Sequence, residues 1–236
     1  MTTLAAPAKL TRTLRVTGVR DDGYHLIDAE MVSLDLADEL TFADGDRLTL
    51  DGPEAVGLSV GADNLVAKAL QACGRTASVH VHKDIPAGGG LGGGSADAAA
   101  VLRWAGVFDL ALAARLGADV PFCLRGGRAR VTGIGEGLET LPFEERTFTV
   151  STPPDIRCDT AAVYRAWDDL GGPTADGPND LEPAALVVEP GLARFRDEFG
   201  DATGETPILA GSGSTWFVEG AHPGPGRLVV RTIPSY

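Results

Sequence analysis

The chain has 236 residues, 44% of them hydrophobic and 22% charged, which is enough to bury a sizeable core in one large or two smaller domains. A formal net charge of −13 argues against a nucleic-acid partner, since neutralising a phosphate backbone needs a basic face. No apolar run reaches the roughly 18 residues of a membrane span, and no basic stretch followed by an apolar one opens the chain, so neither a membrane nor a leader is expected.

In chain order, residues 10–19 alternate as a strand, Asp21-Asp22-Gly23 turns, and Tyr24 to Leu36 returns as a second arm. Lys9 falls early in the first arm, where a lone lysine reads as a solvated edge charge. Short strands are expected at Arg47–Leu50 and Val56–Val60. Asp63-Asn64 then caps a helix over Leu65–Ala72, and Ala77 to Val81 alternates as a strand.

Residues 88–94 follow, six glycines broken only by Leu91, and a helix is expected from Ser95 to Trp104. Glycine buries no side chain and loses the most backbone entropy on ordering, so this run must work through its main chain. Strand, glycine loop and helix N-terminus in succession aim several N–H groups and the positive end of a helix at one spot, an anion site suited to polyphosphate. Ser95 adds a hydroxyl at the helix cap. A flexible linker is the bland alternative, but linkers rarely sit between a strand and an Ala-rich helix. Gly94 is followed by Ser95 with no lysine, which excludes a Walker A loop. Gly88, Gly90 and Gly93 do fit G-x-G-x-x-G, yet the loop starts too long after the strand, and no acid lies about 20 residues on for a ribose.

Asp109 opens a short helix to Leu116, which Gly117 to Phe122 breaks. Within that break Asp119 sits among small and apolar neighbours, where a carboxylate has a partner, a purpose or a cap to make. Strands are expected at 126–132, 137–141 and 147–151. Beyond Pro153-Pro154 the texture changes, which places a domain boundary near residue 145. Helices follow at Thr160–Leu170, at Asn179–Val188 with Asn179 or Asp180 as cap, and at Pro190–Phe199. A second glycine-serine loop, 211–214, precedes strands at Thr215–Val218 and Arg227–Ile233. Three lysines stand against seventeen arginines, and two of them, Lys9 and Lys83, flank the most distinctive motifs. Cys73, Cys123 and Cys158 are odd in number and far apart, fitting reduced thiols of a cytoplasmic protein rather than a disulfide framework or zinc site.

Seven blocks together resemble one family: an opening made of Pro7 to Leu10 and Thr17 to His25, then Ile85 to Ala100, Gly117 to Phe122, Gly133 to Leu138, Asp159 to Tyr164, Asn179 to Pro183 and Gly211 to Ser214. Their order and content are similar to the 4-diphosphocytidyl-2-C-methyl-D-erythritol kinases of the GHMP superfamily, over nearly the whole chain. The resemblance implies an α+β, two-domain fold. Residues 1–145 would be an ATP-binding α/β domain and 146–236 a ferredoxin-like substrate domain.

It also implies ATP-dependent phosphorylation of the 2-hydroxyl of a methylerythritol carrying a cytidine diphosphate handle, with Mg²⁺, in isoprenoid precursor synthesis. Carried over residue by residue, Asp119 would take the hydroxyl proton beside Lys9. Pro86, Gly88, Gly89, Gly90, Leu91, Gly92, Gly93, Gly94 and Ser95 would hold the ATP phosphates, with Asn64, Leu65 and Lys83 around adenine and ribose. Tyr24 and Tyr164 would sandwich cytosine, and His25 would read its edge. Thr11, Thr160, Gly211, Ser212 and Gly213 would border the rest of the substrate, in a monomer or weak homodimer. The family normally carries Asn where this chain has Thr11. Segments between Trp104 and Gly117, between Glu198 and Pro207 and after Gly220 are short for it, and Arg12 stands where an apolar residue is common, facing solvent at a strand edge. The alternatives are a GHMP kinase for another small alcohol and a catalytically silent nucleotide-binding paralogue.

Overall fold

A computed structural model describes all 236 residues. Two very long strands lead, β1 (Thr2–Val19) and β2 (His25–Ala43), paired antiparallel. Then come β3 (Leu48–Asp51), α1 (Leu65–Ala72), β4 (Ser78–His82), α2 (Gly93–Trp104), α3 (Leu110–Leu116), α4 (Val120–Arg125), β5 (Arg128–Gly133) and β6 (Gly137–Thr140). The first sheet runs β3-β4-β2-β5-β6, with β1 on β2 as well. Strand β2 shares one edge between two partners, β5 on residues 27–32 and β4 on residues 39–43. Val79 and Val81 of β4 are buried while His80 and His82 are exposed, as a sheet with one helix-covered and one wet face requires. Ala96 and Ala98 to Ala100 of α2 are fully enclosed; their small side chains let the helix lie close on β1.

Residues 147–231 build the second sheet: β7 (Thr147–Ser151), α5 (Thr160–Asp169), α6 (Glu182–Val188), α7 (Gly191–Thr203), β8 (Ile208–Leu209), β9 (Trp216–Glu219) and β10 (Leu228–Arg231). Its order, β10-β7-β9-β8, with every neighbour antiparallel, is the ferredoxin-like arrangement. One departure lies after Gly220. Parallel-running strands β9 and β10 ordinarily need a helical crossover of a dozen or more residues, yet only Gly220–Arg227 joins them, as a strap without helix. Hydroxyls on β7 satisfy it: Thr149 Oγ1 donates to Gly220 O and accepts from His222 N–H, and Ser151 Oγ donates to Gly226 O, each at 2.9 Å.

Several expectations are corrected. Val56–Val60 is no strand: it has no sheet neighbour, and Val56 and Val60 are exposed. Gly117 to Phe122 does not merely break a helix, because α4 begins at Val120 with Pro121 in its first turn, where a missing N–H costs nothing. Helix α6 starts at Glu182, and neither Asn179 nor Asp180 is its cap. Arg12 does not face solvent. Its guanidinium bonds Glu30 at 2.5 Å and lies over the Phe148 ring at 5.7 Å, pinning β1 to the second sheet. The chain end also returns to the first sheet, through bridges Leu34 to Thr232 and Gly126 to Ser235.

Candidate active site

The site begins with an irregularity in β1. Pro7 pairs with Ala37 but Lys9 with Ser33, so the ladder slips between them. The Lys9 N–H leaves the sheet and donates to Leu91 O at 2.9 Å, tying the glycine segment to the strand. Gly92 adopts φ +73°, a left-handed conformation natural to glycine, and a Cβ there would lie 2.8 Å from Lys9 Cγ. The lysine stem therefore runs directly beneath the loop. At Gly90, also left-handed, a Cβ would stand 2.7 Å from both Ala210 O and Gly213 O, so the second glycine-serine loop closes on the first.

None of the main-chain N–H groups from Gly88 to Ser95 donates to an acceptor within the chain. Amides left in this way, exposed at Gly88 and Gly94 and buried or half-buried between and at Ser95, can receive anionic oxygens, as can the N-terminus of the twelve-residue α2. Ser95 is not the cap expected of it. The helix starts at Gly93, its cap is Gly92, and a Cβ at Gly117 would lie 4.0 Å from the Ser95 hydroxyl.

Lys9 Nζ pairs with Asp119 Oδ2 at 3.3 Å and donates to Thr11 Oγ1 at 3.0 Å. The lysine side chain is 5% exposed and the aspartate 31%. The lysine is thus no solvated edge charge, and Asp119, although first in line before α4, makes no cap bond with its side chain. A Cβ on Gly211 would sit 3.6 Å from Lys9 Nζ and 3.7 Å from Thr11 Oγ1, so the loop backbone roofs this pair. Asn179, 1% exposed, holds that roof by donating from Nδ2 to Leu209 O at 2.8 Å and Gly211 O at 2.7 Å. Its neighbour Asp180 accepts from Val16 N–H at 2.9 Å and Arg15 at 2.6 Å, fastening the second sheet's helices to β1.

Lys9, Thr11, Gly90 and Asp119 line one cavity of about 760 Å³ with Tyr24, His25, Thr160, Tyr164, Gly211 and Ser212. Thr160 and Ser212 hydroxyls meet across it at 2.9 Å. His25 packs on Tyr164 at a 32° tilt, centroids 4.6 Å apart, edges on to Trp167 at 5.6 Å and bonds Asp168 Oδ1 through Nε2 at 2.8 Å. Tyr24 stands at the rim, 59% exposed. Burial, with the nearby Asp119 charge, pushes the Tyr164 phenol well up, so it stays a neutral ring.

Other expected residues lie elsewhere. Asn64 spends its amide on its own surroundings, accepting from Val66 N–H at 2.8 Å and donating to Ser59 O at 2.7 Å. Leu65 packs 3.4 Å from the Cβ position of Gly94. Pro86 faces a smaller hollow of about 300 Å³ with Glu54 and Arg157, and Gly213 faces Cys158. The Lys83 ammonium does not reach the loop surface; it is buried between Asp38 and Asp97. The sequence reading missed Asp168, Arg115 and Glu136, which also line the cavity. For Asp168 a signal existed, since it lies one helical turn after Tyr164.

The geometry has close relatives. The profile described as "GHMP kinases N terminal domain" matches residues 62–127. The 4-diphosphocytidyl-2-C-methyl-D-erythritol kinases of Paracoccus denitrificans and Ruegeria pomeroyi are each 40% identical, over 90% of this chain and 85% and 86% of their own. A crystal structure of 4-(cytidine 5'-diphospho)-2C-methyl-D-erythritol kinase superposes with a TM-score of 0.76 at 33% identity, covering 98% of both chains. A glycine segment with free amides, a lysine–aspartate pair under it and these whole-length likenesses together show that the chain belongs to the 4-diphosphocytidyl-2-C-methyl-D-erythritol kinase family of the GHMP kinases.

Proposed function

We propose that the protein transfers the γ-phosphoryl group of ATP to the 2-hydroxyl of 4-diphosphocytidyl-2-C-methyl-D-erythritol, a step of isoprenoid precursor synthesis. One observation carries the reading: the Lys9–Asp119 pair shares its cavity with the Tyr24, His25 and Tyr164 rings at one end and the glycine segment at Gly90. Cytosine would lie against the rings, with the sugar alcohol reaching Asp119. Asp119 accepts the hydroxyl proton as the oxygen bonds to phosphorus and the bond to the ADP oxygen breaks. The Lys9 ammonium steadies the charge on the attacking oxygen. Because the transition state for phosphoryl transfer is loose, positioning and charge neutralisation contribute more than proton removal.

The free amides of Gly88 to Ser95 receive the ATP phosphates. Mg²⁺ fits as an ion carried in on ATP, with the Ser95 hydroxyl and the Asp119 carboxylate beside the glycine segment as the groups that would hold it. When bound, it supplies neutralisation of phosphate charge. Residues 1–145 supply the glycine segment, Lys9, Asp119, Tyr24 and His25, and residues 146–236 close the substrate cavity with Thr160, Tyr164, Gly211 and Ser212. The protein works as a monomer or weak homodimer, and no helix is long and apolar enough to cross a membrane. Free Cys73, Cys123 and Cys158 suit the cytoplasm.

The test is ADP release from Mg-ATP with and without 4-diphosphocytidyl-2-C-methyl-D-erythritol, with the product followed by ³¹P NMR. Substrate-dependent release of ADP is expected. ATP binding without turnover would make the protein a silent paralogue, and turnover with other alcohols only would make it a sibling kinase.

A further inference from the structure

Behind the glycine segment and outside the lining of the cavity, three charged side chains are buried together: Asp38 at 0% exposure, Lys83 at 3% and Asp97 at 5%. Lys83 follows directly on β4, Asp97 lies in the second turn of α2, and Asp38 sits on β2 just beyond the residues that β4 pairs. Lys83 Nζ bonds Asp38 Oδ2 and donates to Asp97 Oδ2 at 2.5 Å. The second oxygen of Asp38 accepts from the N–H groups of Asp84 at 2.7 Å and Ile85 at 2.9 Å. A Cβ on Gly93 would lie 3.3 Å from Ile85 Cβ and 3.4 Å from Asp38 Oδ2, so the two ends of the glycine segment meet over this triad.

We propose that Asp38, Lys83 and Asp97 are positioning residues for ATP: the triad ties the start of the segment at Lys83–Ile85 to the first turns of α2 at its end, and thereby holds the amides of Gly88 to Ser95 in the arrangement that receives phosphates. The proposal rests on the reading of that segment as the nucleotide site. Apolar residues of similar volume would pack the same space at least as stably, because desolvating three charges offsets most of their mutual attraction. What charges add is geometry. Each acid commits one oxygen to the same ammonium, and Asp38 uses the other to fix two successive amides at the entry of the loop.

The experiment compares wild type with Asp97→Asn, a change of equal shape that leaves the Lys83–Asp38 pair in place. It measures KM for ATP, KM for 4-diphosphocytidyl-2-C-methyl-D-erythritol and the thermal midpoint. A misplaced loop should raise the ATP KM about tenfold while the other KM stays within about twofold. A merely structural role would lower the midpoint and leave the two KM values unsplit, which overturns the proposal. Amide exchange in wild type without nucleotide is a second measurement that needs no variant. The Asp84 and Ile85 amides should exchange at least about a hundredfold more slowly than those of Gly88 to Ser95, and equal rates would overturn the clamp. Wild type that binds no ATP would instead remove the nucleotide reading itself, so the two failures are distinct.

Discussion

The protein packs two lysine–carboxylate sites against one glycine segment, Lys9 under Gly92 and Asp38 with Lys83 under Gly93, and they differ in what they leave free. In front, Lys9 meets one acid, Asp119, that keeps 31% of its side chain exposed toward the cavity. Behind, Lys83 meets two acids, Asp38 and Asp97, whose side chains are 0% and 7% exposed. A base must exchange its proton with a substrate, so it needs an open side and a partner that does not saturate it. A clamp must exchange nothing, so closure and two-sided pairing suit it. The same residue types thus perform different work according to access, and each site should fail in its own way.

The largest effect should come from Asp119→Asn, which keeps the shape but removes the proton acceptor. Turnover should fall about 10²–10⁴-fold with ATP affinity unchanged by titration, and near-normal turnover would take Asp119 out of the base role. Lys83→Met should act on the fold instead. It strands two buried carboxylates, and denaturant unfolding should show a loss of about 3–5 kcal/mol, part of it recovered when Asp97→Asn is added. Lys9→Met removes the equivalent charge in front, where Asp119 can turn to solvent, so its cost should be under about 1 kcal/mol. Equal losses at the two lysines would erase the contrast.

The pH response separates the sites further. Burial, reinforced by the charge of Asp38 and opposed by Lys83, pushes Asp97 up to about 7 from an ordinary 3.8. The folded chain therefore binds more protons at Asp97 than the unfolded chain does between roughly pH 4 and 7, so this group's contribution to stability falls as pH rises through that window. Asp97→Asn abolishes the dependence. Its thermal midpoint relative to wild type should climb from pH 5 to pH 7.5, and a flat difference would mean that Lys83 holds both acids ionised throughout.

Local chemistry made the helix starts legible in sequence, family resemblance made the front site so, and the rear site stayed hidden. The Asn64 cap, the Asp109 cap and the helices they open stand where side-chain preferences place them, because a cap is decided within three residues. Lys9 and Asp119 could be paired only through the family resemblance, and Lys83 drew attention by its scarcity alone. Its first partner, Asp38, lies 45 residues away on a strand edge that sequence does not mark as uncovered. Val56, Leu58 and Val60 misled for a related reason. Alternation reports a half-buried strand only where a neighbour exists to bury it, and no strand pairs beyond β3.

The smallest expected effect tests how far the front pair depends on its surroundings. Thr11 is 1% exposed, and its hydroxyl accepts from Lys9 at 3.0 Å, in the position where the family resemblance implies Asn. Thr11→Val preserves the shape and removes the acceptor, leaving Lys9 with Asp119 alone. A hydrogen bond between a neutral acceptor and an ammonium that retains another partner contributes about 1 kcal/mol, so turnover should fall about fivefold with both KM values nearly unchanged. A fall beyond a hundredfold would mean that the hydroxyl touches the substrate itself. No fall at all would mean that Asp119 and the lysine stem packed under Gly92 are sufficient to aim the ammonium, and the shorter side chain at position 11 would then be a substitution the site absorbs without loss.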